Sequence, residues 1–293
     1  PSKRVERNVG GHLNIPDLWR NSGAGNEGAI STGWIETLND PEMSALVFEA
    51  LERNQSIQIS EAQLRIAKES LAFGRSPRLP SFSVAGSGSG GSSKSRDAAG
   101  DLSDWRNSES YGLTANASWE LDLWGRLKDL HQATKFDFAA TSADFRGARL
   151  SLAATTAKAW CNLITAKQQL ELAIQTKESF ETNYRITERN YSSGDASASA
   201  LSLQFARNNV ASAERSVISR QLSLDEAKRT LEILLGRYPA SEIAVREILP
   251  DLPELVSTGL PSELLMRRPD LVAASNDLLA SAERSVATRK NLL

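Results

Sequence analysis

Gly86, Gly88 and Gly91 have the G-x-G-x-x-G spacing of turns that hold nucleotide phosphates, and they follow a stretch that is typical of a strand. A phosphate-binding turn of this kind must open a helix, because the amides at a helix N-terminus hold the phosphate groups. Here the polar stretch from Gly91 to Ser110 follows instead. The sequence therefore argues against a dinucleotide site, and no cofactor is predicted.

Residue types that perform catalysis are sparse. The two histidines, His12 and His131, stand in no H-E-x-x-H motif, and neither a G-x-S-x-G motif nor a P-loop occurs. A single cysteine, Cys161, excludes an intrachain disulfide and a multi-cysteine zinc site, and its place in a helical pattern predicts a small packed residue. Carboxylates such as Glu171 and Glu178 are interspersed with Lys and Arg, as on a solvated helix face. We therefore predict no enzyme and no metal site.

The composition limits the class of protein without naming a partner. With 293 residues, 24% charged and 40% hydrophobic, the chain suits one large or two ordinary domains. Its 34 Lys and Arg against 36 Asp and Glu leave a formal net charge of −2, so no positive excess predicts binding to nucleic acid. No stretch is long and apolar enough for a transmembrane helix.

Side-chain polarity alternates along the segment from Tyr111 to Asp122. A transmembrane β-strand needs roughly 9 to 11 such residues, apolar toward lipid and polar toward a water-filled lumen. We therefore predict an antiparallel strand pair, 79–90 and 111–122, joined by a polar loop and with the odd-numbered residues of the second strand facing away from the lumen. The predicted lumen-facing residues are Asn116, Ser118, Glu120 and Asp122, and the predicted interface girdle is Tyr111, Trp119 and Trp124.

Heptad spacing predicts a helix before the strands and a helical hairpin after them. The first helix has Asp40 as its N-cap and Pro41 at its first position. After Gly125, no proline occurs up to Tyr238, so a helix from Arg126 to Asn190 could span roughly 95 to 100 Å. Gly194 breaks this pattern. The two apolar heptad series are Phe138, Phe145, Leu152, Ala159, Ala166, Ala173 and Phe180, then Leu203, Val210, Val217, Leu224 and Leu231.

An internal repeat links the two ends of the chain. Residues 51–79 correspond without a gap to residues 265–293; the matched identities include Arg53 with Arg267, Leu64 with Leu278, Glu69 with Glu283 and Arg75 with Arg289. The repeat predicts that the chain covers one structural repeat and the start of a second, as a fragment would. A half-length subunit that assembles in doubled number is the alternative.

Residues 118–127 read S-W-E-L-D-L-W-G-R-L, and they resemble the W-E-L-D-[LF]-[FW]-G-R-[LV] signature of the TolC-type outer-membrane factors, in the OprM/NodT branch. Further matches lie at Asn39-Asp40-Pro41, residues 50–54, Leu79-Pro80, Leu235-Gly236 and residues 260–271. The resemblance implies a mainly α fold with a β part, in which long antiparallel coiled-coil helices form an α-barrel and a β-strand hairpin contributes to a transmembrane β-barrel.

The resemblance also implies a function. A homotrimer in the outer membrane and periplasm of a Gram-negative bacterium would act as the passive exit duct of a tripartite efflux or secretion system. The implied partners are a periplasmic adaptor protein, an inner-membrane pump and outer-membrane lipid. The substrate, the pump and N-terminal lipidation stay open, and the family's closing gate lies outside this sequence. A non-pore periplasmic coiled-coil scaffold is the alternative function.

The turn after the long helix resembles the tip at which the family meets its adaptor. The residues predicted to dock the adaptor are Ser193, Gly194, Asp195, Ala196, Ser197 and Ala198. The alternative is a helix C-cap at Gly194 with no partner. The predicted division of the chain is an extended segment 1–40, a first helix 41–78, a strand hairpin 79–122, a coiled-coil hairpin 123–236, an equatorial linker 237–262 and a second-repeat helix 263–293.

Overall fold

The computed structural model describes residues 33–96, 100, 102, 104–195, 199–251 and 266–292. Most of the predicted segment 1–40 and parts of the last two predicted segments lie outside these ranges. The main elements within them are α1 (Pro41–Arg53), α2 (Gln55–Phe73), β1 (Ser81–Ser93), β2 (Arg106–Ser118), α3 (Arg126–Ser192), α4 (Ala200–Leu234) and α5 (Pro269–Lys290).

Helix α1 begins at a capped proline, as predicted. The Asp40 carboxylate accepts hydrogen bonds from the backbone N–H groups of Glu42 at 3.0 Å and Met43 at 3.1 Å, and Pro41 occupies the first position. These hydrogen bonds satisfy backbone N–H groups of the first turn, which have no partner within the helix. Proline has no N–H group, so its position needs no such partner.

The prediction of one continuous helix over residues 41–78 is wrong, because the chain breaks at Asn54. Its backbone is extended, with ψ of 127°, and its side chain accepts a hydrogen bond from the Ser56 N–H at 2.9 Å. The amide group also donates to the Leu234 carbonyl at the end of α4, at 2.9 Å. The heptad pattern continues through the break, and the tertiary contact to α4 fixes where the helix stops.

Helices α3 and α4 form the predicted antiparallel helical hairpin. Helix α3 runs for 67 residues without interruption. Ala173 on α3 and Ala213 on α4 are both buried and lie in the same part of the seam. Arg220 follows Ala213 by one heptad; it is exposed and donates to the Gln169 side chain at 2.8 Å. Its long stem lets the guanidinium leave the seam.

Strands β1 and β2 pair antiparallel along their whole length, from Ser81 opposite Ser118 to Ser93 opposite Arg106. The strand pair is as predicted, but its ends are not. The pairing extends into the predicted loop 91–110 and stops before residue 119. Each further pair satisfies backbone N–H and C=O groups whatever its side chains are, so polarity alone could not locate the ends.

The chain forms two compact units. Among the described residues, the strand unit contains Ile66–Ala140 and the chain from Ala274, and the core unit contains residues 33–65 and Thr141–Ala273. In the core unit, α1, α3 and α4 enclose a hydrophobic cluster whose fully buried members include Met43, Val47, Trp160, Leu163, Ile164, Leu231 and Leu235.

Candidate functional site

The strand hairpin has one apolar and one polar face. Opposite residues of an antiparallel pair point to the same side of the sheet, so the register sorts the side chains. Phe82 and Val84 of β1 share a face with Leu113 and Tyr111 of β2, whereas Ser83 lies on the other face. Every residue of both strands is exposed. The hairpin therefore presents an uncovered apolar surface and an uncovered polar surface.

The glycine run of β1 is part of a paired strand and not of a turn that opens a helix. Gly86, Gly88 and Gly91 all lie in extended backbone paired to β2. An alanine-like Cβ at Gly88 would lie 3.5 Å from the Tyr111 ring, so the aromatic ring packs over the glycine of the opposite strand. The glycines therefore leave room for packing across the strands.

The segment that resembles the family signature is a strand-to-helix junction in the strand unit. The Asp122 carboxylate accepts hydrogen bonds from the N–H groups of Leu127 at 3.0 Å and Lys128 at 2.8 Å, and so caps α3. Burial opposes ionisation of Asp122, but the backbone donors outweigh it and hold its pKa below the usual value. Gly125 has a φ of +74°, a conformation that side chains disfavour.

This junction corrects the placement of two residues predicted to face the lumen from the strand. Strand β2 ends at Ser118, so neither Glu120 nor Asp122 belongs to it. Glu120 instead pairs with the Arg126 guanidinium, at 3.2 Å from Nε and 2.5 Å from Nη2, and Asp122 is the cap. Both carboxylates are held by the start of the helix. Asn116 and Ser118 lie on the polar face, and their position toward a lumen stays a prediction.

The aromatic residues of the predicted girdle are all exposed. Tyr111, predicted at the start of a strand, lies inside β2, because pairing with β1 begins at Arg106. Trp119 and Trp124 follow the strand, and the Trp119 indole donates to the Arg78 carbonyl at 3.2 Å. That hydrogen bond orients one aromatic ring at the boundary between strand and helix.

The tip of the helical hairpin is built from two complementary helix caps. Gly194, at φ of +73°, ends α3 in a Schellman motif, in which its N–H donates to the Tyr191 carbonyl at 3.2 Å and the Asp195 N–H to the Asn190 carbonyl at 3.1 Å. Helix α4 begins with a capping box between Ser199 and Ser202. Ser193, Gly194 and Asp195 are exposed, and Ala196, Ser197 and Ala198 lie outside the described residues.

Two buried polar contacts of the core unit were not predicted from the sequence. The Trp160 indole donates to the Asp40 carboxylate at 3.0 Å, so the cap of α1 also fixes the largest side chain of the core. The Glu232 carboxylate accepts from the N–H groups of Ser241 and Glu242, both at 2.7 Å. Burial raises the pKa of Glu232, but these backbone donors outweigh it and lower the pKa overall.

The described helices do not combine enough length and apolarity for any of them to cross a membrane.

The remaining reactive side chain, Cys161, is half-buried, and burial together with the nearby Asp40 charge raises the pKa of its thiol. Its thiolate fraction at neutral pH is therefore small.

Known proteins share this architecture. The structure aligns with that of the outer-membrane channel OprN with a TM-score of 0.77 and 26% sequence identity, covering 93% of this chain and 61% of that one. The fold is therefore that of a TolC-like channel subunit. Residues 46–237 match the family described as outer membrane efflux protein, and the chain belongs to that family.

Two relatives by sequence agree with this assignment. The cation efflux system protein CusC of Escherichia coli is 27% identical over 262 residues, covering 88% of this chain and 55% of CusC. The outer membrane protein OprJ of Pseudomonas aeruginosa is 30% identical over 270 residues, covering 91% of this chain and 56% of OprJ. The resemblance of residues 118–127 is thus confirmed, and the chain spans about half the length of these relatives.

Proposed function

We propose that the chain is a channel subunit of a passive exit duct in the outer membrane of a Gram-negative bacterium. The observation that carries the proposal is the division of the β1–β2 hairpin into one apolar and one polar face, both uncovered. In a barrel wall, the apolar face meets lipid and the polar face meets water. Helices α3 and α4 would form part of the periplasmic tunnel.

Assembly is part of the proposal, because two strands leave backbone donors and acceptors unpaired at both edges. In lipid each unpaired group costs several kcal/mol, so the hairpin needs neighbouring strands. A homotrimer is the assembly that the family resemblance implies. The duct performs no reaction, and an inner-membrane pump that works through a periplasmic adaptor would supply the energy for transport.

Neighbouring spin labels in β2 test the membrane position of the hairpin. Leu113→Cys places a label on the apolar face and Thr114→Cys on the polar face, in a Cys161→Ser background. In reconstituted outer-membrane lipid, we expect the label at 113 to collide with oxygen and the label at 114 with a water-soluble nickel complex. Equal exposure of both labels to the water-soluble reagent would favour the coiled-coil scaffold and reject the channel.

The exposed tip provides a test of adaptor docking. Ser193 is exposed and follows the last residue of α3, and its hydroxyl donates a hydrogen bond to the Asn190 carbonyl oxygen at 3.0 Å. Ser193→Trp adds bulk where two helical hairpins would meet end to end, while Ser193→Ala removes the hydroxyl alone. We expect the Trp variant to lose adaptor cross-linking and efflux but to keep its outer-membrane location, with the Ala variant unaffected. Normal cross-linking of the Trp variant would reject docking at this tip.

A further inference from the structure

Three cationic side chains gather in the strand unit, just before the strand hairpin. Arg75 and Arg78 belong to the short turn that follows α2, and Lys135 lies on α3. All three are exposed. Arg75 directly follows Gly74, which lies against His131, and Lys135 lies one helical turn after His131, whose side chain is only 5% exposed.

The backbone fixes this convergence. Residues Ser76–Arg78 form a 3₁₀ turn, in which side chains three positions apart lie above one another, so Arg75 and Arg78 share a face. Lys135 follows His131 by four residues on α3 and lies on the same side of that helix. A Cβ at Gly74 would lie 3.5 Å from His131 Nδ1, which places the start of the turn directly against the histidine.

The cluster carries uncompensated positive charge. Within the described part of the chain, no carboxylate forms an ion pair with Arg75, Arg78 or Lys135. The Asp122 carboxylate feels the Arg78 charge, but it is held by the backbone at the start of α3. Buried His131 Nδ1 has no hydrogen-bond partner. An anion is the group that would offset the three like charges around His131.

The surroundings of the cluster favour an anion that carries an apolar chain. Leu79 follows Arg78 directly and is 65% exposed, and the 57% exposed Trp119 is tied to the Arg78 carbonyl through its indole. Strand β1 begins two residues after Leu79. Basic side chains next to aromatic and apolar side chains are typical of the membrane interface, where phosphates and acyl chains meet.

We propose that Arg75, Arg78 and Lys135 form a binding site for the phosphate of a phospholipid, whose acyl chains pack along Leu79 and Trp119. The site rests on the proposed function, because insertion of the β1–β2 hairpin brings lipid headgroups to this turn. Its partner is a lipid of the periplasmic leaflet, held by charge at the headgroup and by apolar contact along the chains.

The histidine provides a direct readout of binding. Burial and then the three cations lower the pKa of His131, so an anion that neutralises the cations should raise that pKa. The imidazole signals are followed by NMR during pH titration of the whole chain in maltoside micelles, with a His12→Gln variant to assign the second histidine. The probes are soluble short-chain phosphatidylglycerol, glycerol phosphate and inorganic phosphate.

All three probes are compared by the concentration needed to raise the pKa of His131. For the short-chain lipid, this concentration should be at least about tenfold lower than for glycerol phosphate or inorganic phosphate, which have no acyl chains. An equal response to inorganic phosphate would identify a free-anion site and overturn the lipid assignment. No response to any probe would overturn the site itself. Because this lipid dissolves without a bilayer, the outcome is independent of the spin-label test of membrane insertion.

Variants test whether lipid binding depends on these particular arginines or on the overall positive charge of the protein. Arg75→Gln with Arg78→Gln removes two charge-assisted contacts and should weaken lipid binding about tenfold or more. The same double variant should raise the pKa of His131 in the absence of lipid. Arg229→Gln, at an exposed arginine of α4 in the core unit, is the control and should leave binding unchanged. Wild-type affinity in the double variant, or an equal loss in the control, would overturn the proposal.

Discussion

The helical hairpin of the core unit ends on the same backbone motif in two places, after α3 at Gly194 and after α4 at Gly236. The two glycines have φ angles of +73° and +72°. Each glycine takes part in the pair of backbone hydrogen bonds that defines a Schellman motif. In the second motif, the Gly236 N–H donates to the Ile233 carbonyl at 3.0 Å and the Arg237 N–H donates to the Glu232 carbonyl at 2.8 Å.

The surroundings of the two glycines differ. A Cβ at Gly194 would meet no atom of the described residues within 4 Å, whereas a Cβ at Gly236 would lie 2.9 Å from the Arg53 carbonyl oxygen. Arg237, the next residue, forms a two-point ion pair with Glu49, at 2.7 and 2.5 Å. The same local motif therefore leaves the α3 end free to meet a partner and fixes the α4 end against α1.

Replacing each glycine by alanine is the strongest test of this difference. Gly236→Ala combines a left-handed backbone, which costs about 1–2 kcal/mol, with overpacking against Arg53, which costs about 1–3 kcal/mol. We expect the free energy of unfolding to fall by about 3 kcal/mol, measured by urea denaturation with far-UV circular dichroism. A loss in Gly236→Ala no larger than that in Gly194→Ala would contradict the close approach to Arg53.

The comparison extends to two helix N-caps, the buried cap of α1 and the exposed cap of α4 at the tip. Asp40→Ala removes the cap of α1 and leaves the buried Trp160 indole without an acceptor, so we expect a loss of about 2–4 kcal/mol in the same assay. Ser199→Ala removes an exposed cap at the tip and should cost only about 1 kcal/mol. Asp40→Asn keeps an acceptor, so its loss of stability should lie between the losses of Asp40→Ala and Ser199→Ala. Equal losses for Asp40→Ala and Ser199→Ala would show that the indole contact adds nothing.

Acid should weaken the α4 end through Glu232, whose folded-state pKa lies below its ordinary value of 4.5. Its ionised form stabilises the fold above the unfolded-state pKa, and this stability is lost as the pH falls through the lower folded-state value. At neutral pH, Glu232→Gln should cost about 1–3 kcal/mol, because two good acceptors for backbone N–H groups become one.

The variant should also flatten the dependence of stability on pH below 4.5, which unfolding curves at several acidic pH values would measure. Glu49 contributes in the same direction, since its hydrogen bond to Arg237 lowers its pKa, so part of the dependence should remain. An unchanged slope in Glu232→Gln would assign the whole effect to other carboxylates.

The smallest effect should come from Gly194→Ala. Only the left-handed backbone is strained there, so we expect a loss of about 1 kcal/mol, with helix content unchanged. Adaptor cross-linking in the assembled protein is a second readout, and it should persist if the turn keeps its shape. A loss as large as that of Gly236→Ala would mean that the tip is packed against other residues.

Much of the fold could be predicted from local patterns. Heptad spacing located the helical hairpin, Asp40 and Pro41 located the start of α1, and the apolar alternation located the paired strands with their two faces. These features are readable because a helix and a strand repeat with fixed periods and because caps lie within a few residues of the groups they satisfy.

Other parts could not be predicted, because their partners lie far away in the sequence. The break at Asn54 depends on the Leu234 carbonyl, and the burial of Asp40 depends on Trp160. In the strand unit, the cationic cluster forms only when the turn after α2 packs against α3 at His131. Nothing in the spacing of these residues along the chain indicates that they meet.

By itself, the sequence determined the types of element, the faces of the strands and the family to which the chain belongs. The tertiary structure alone decided which of two identical Schellman turns is packed and which is free, and that Glu120 and Asp122 serve the start of a helix rather than a strand. The physical reason is that periodicity and capping are local, whereas close approach, burial and ion pairing depend on which distant residues the fold brings into contact.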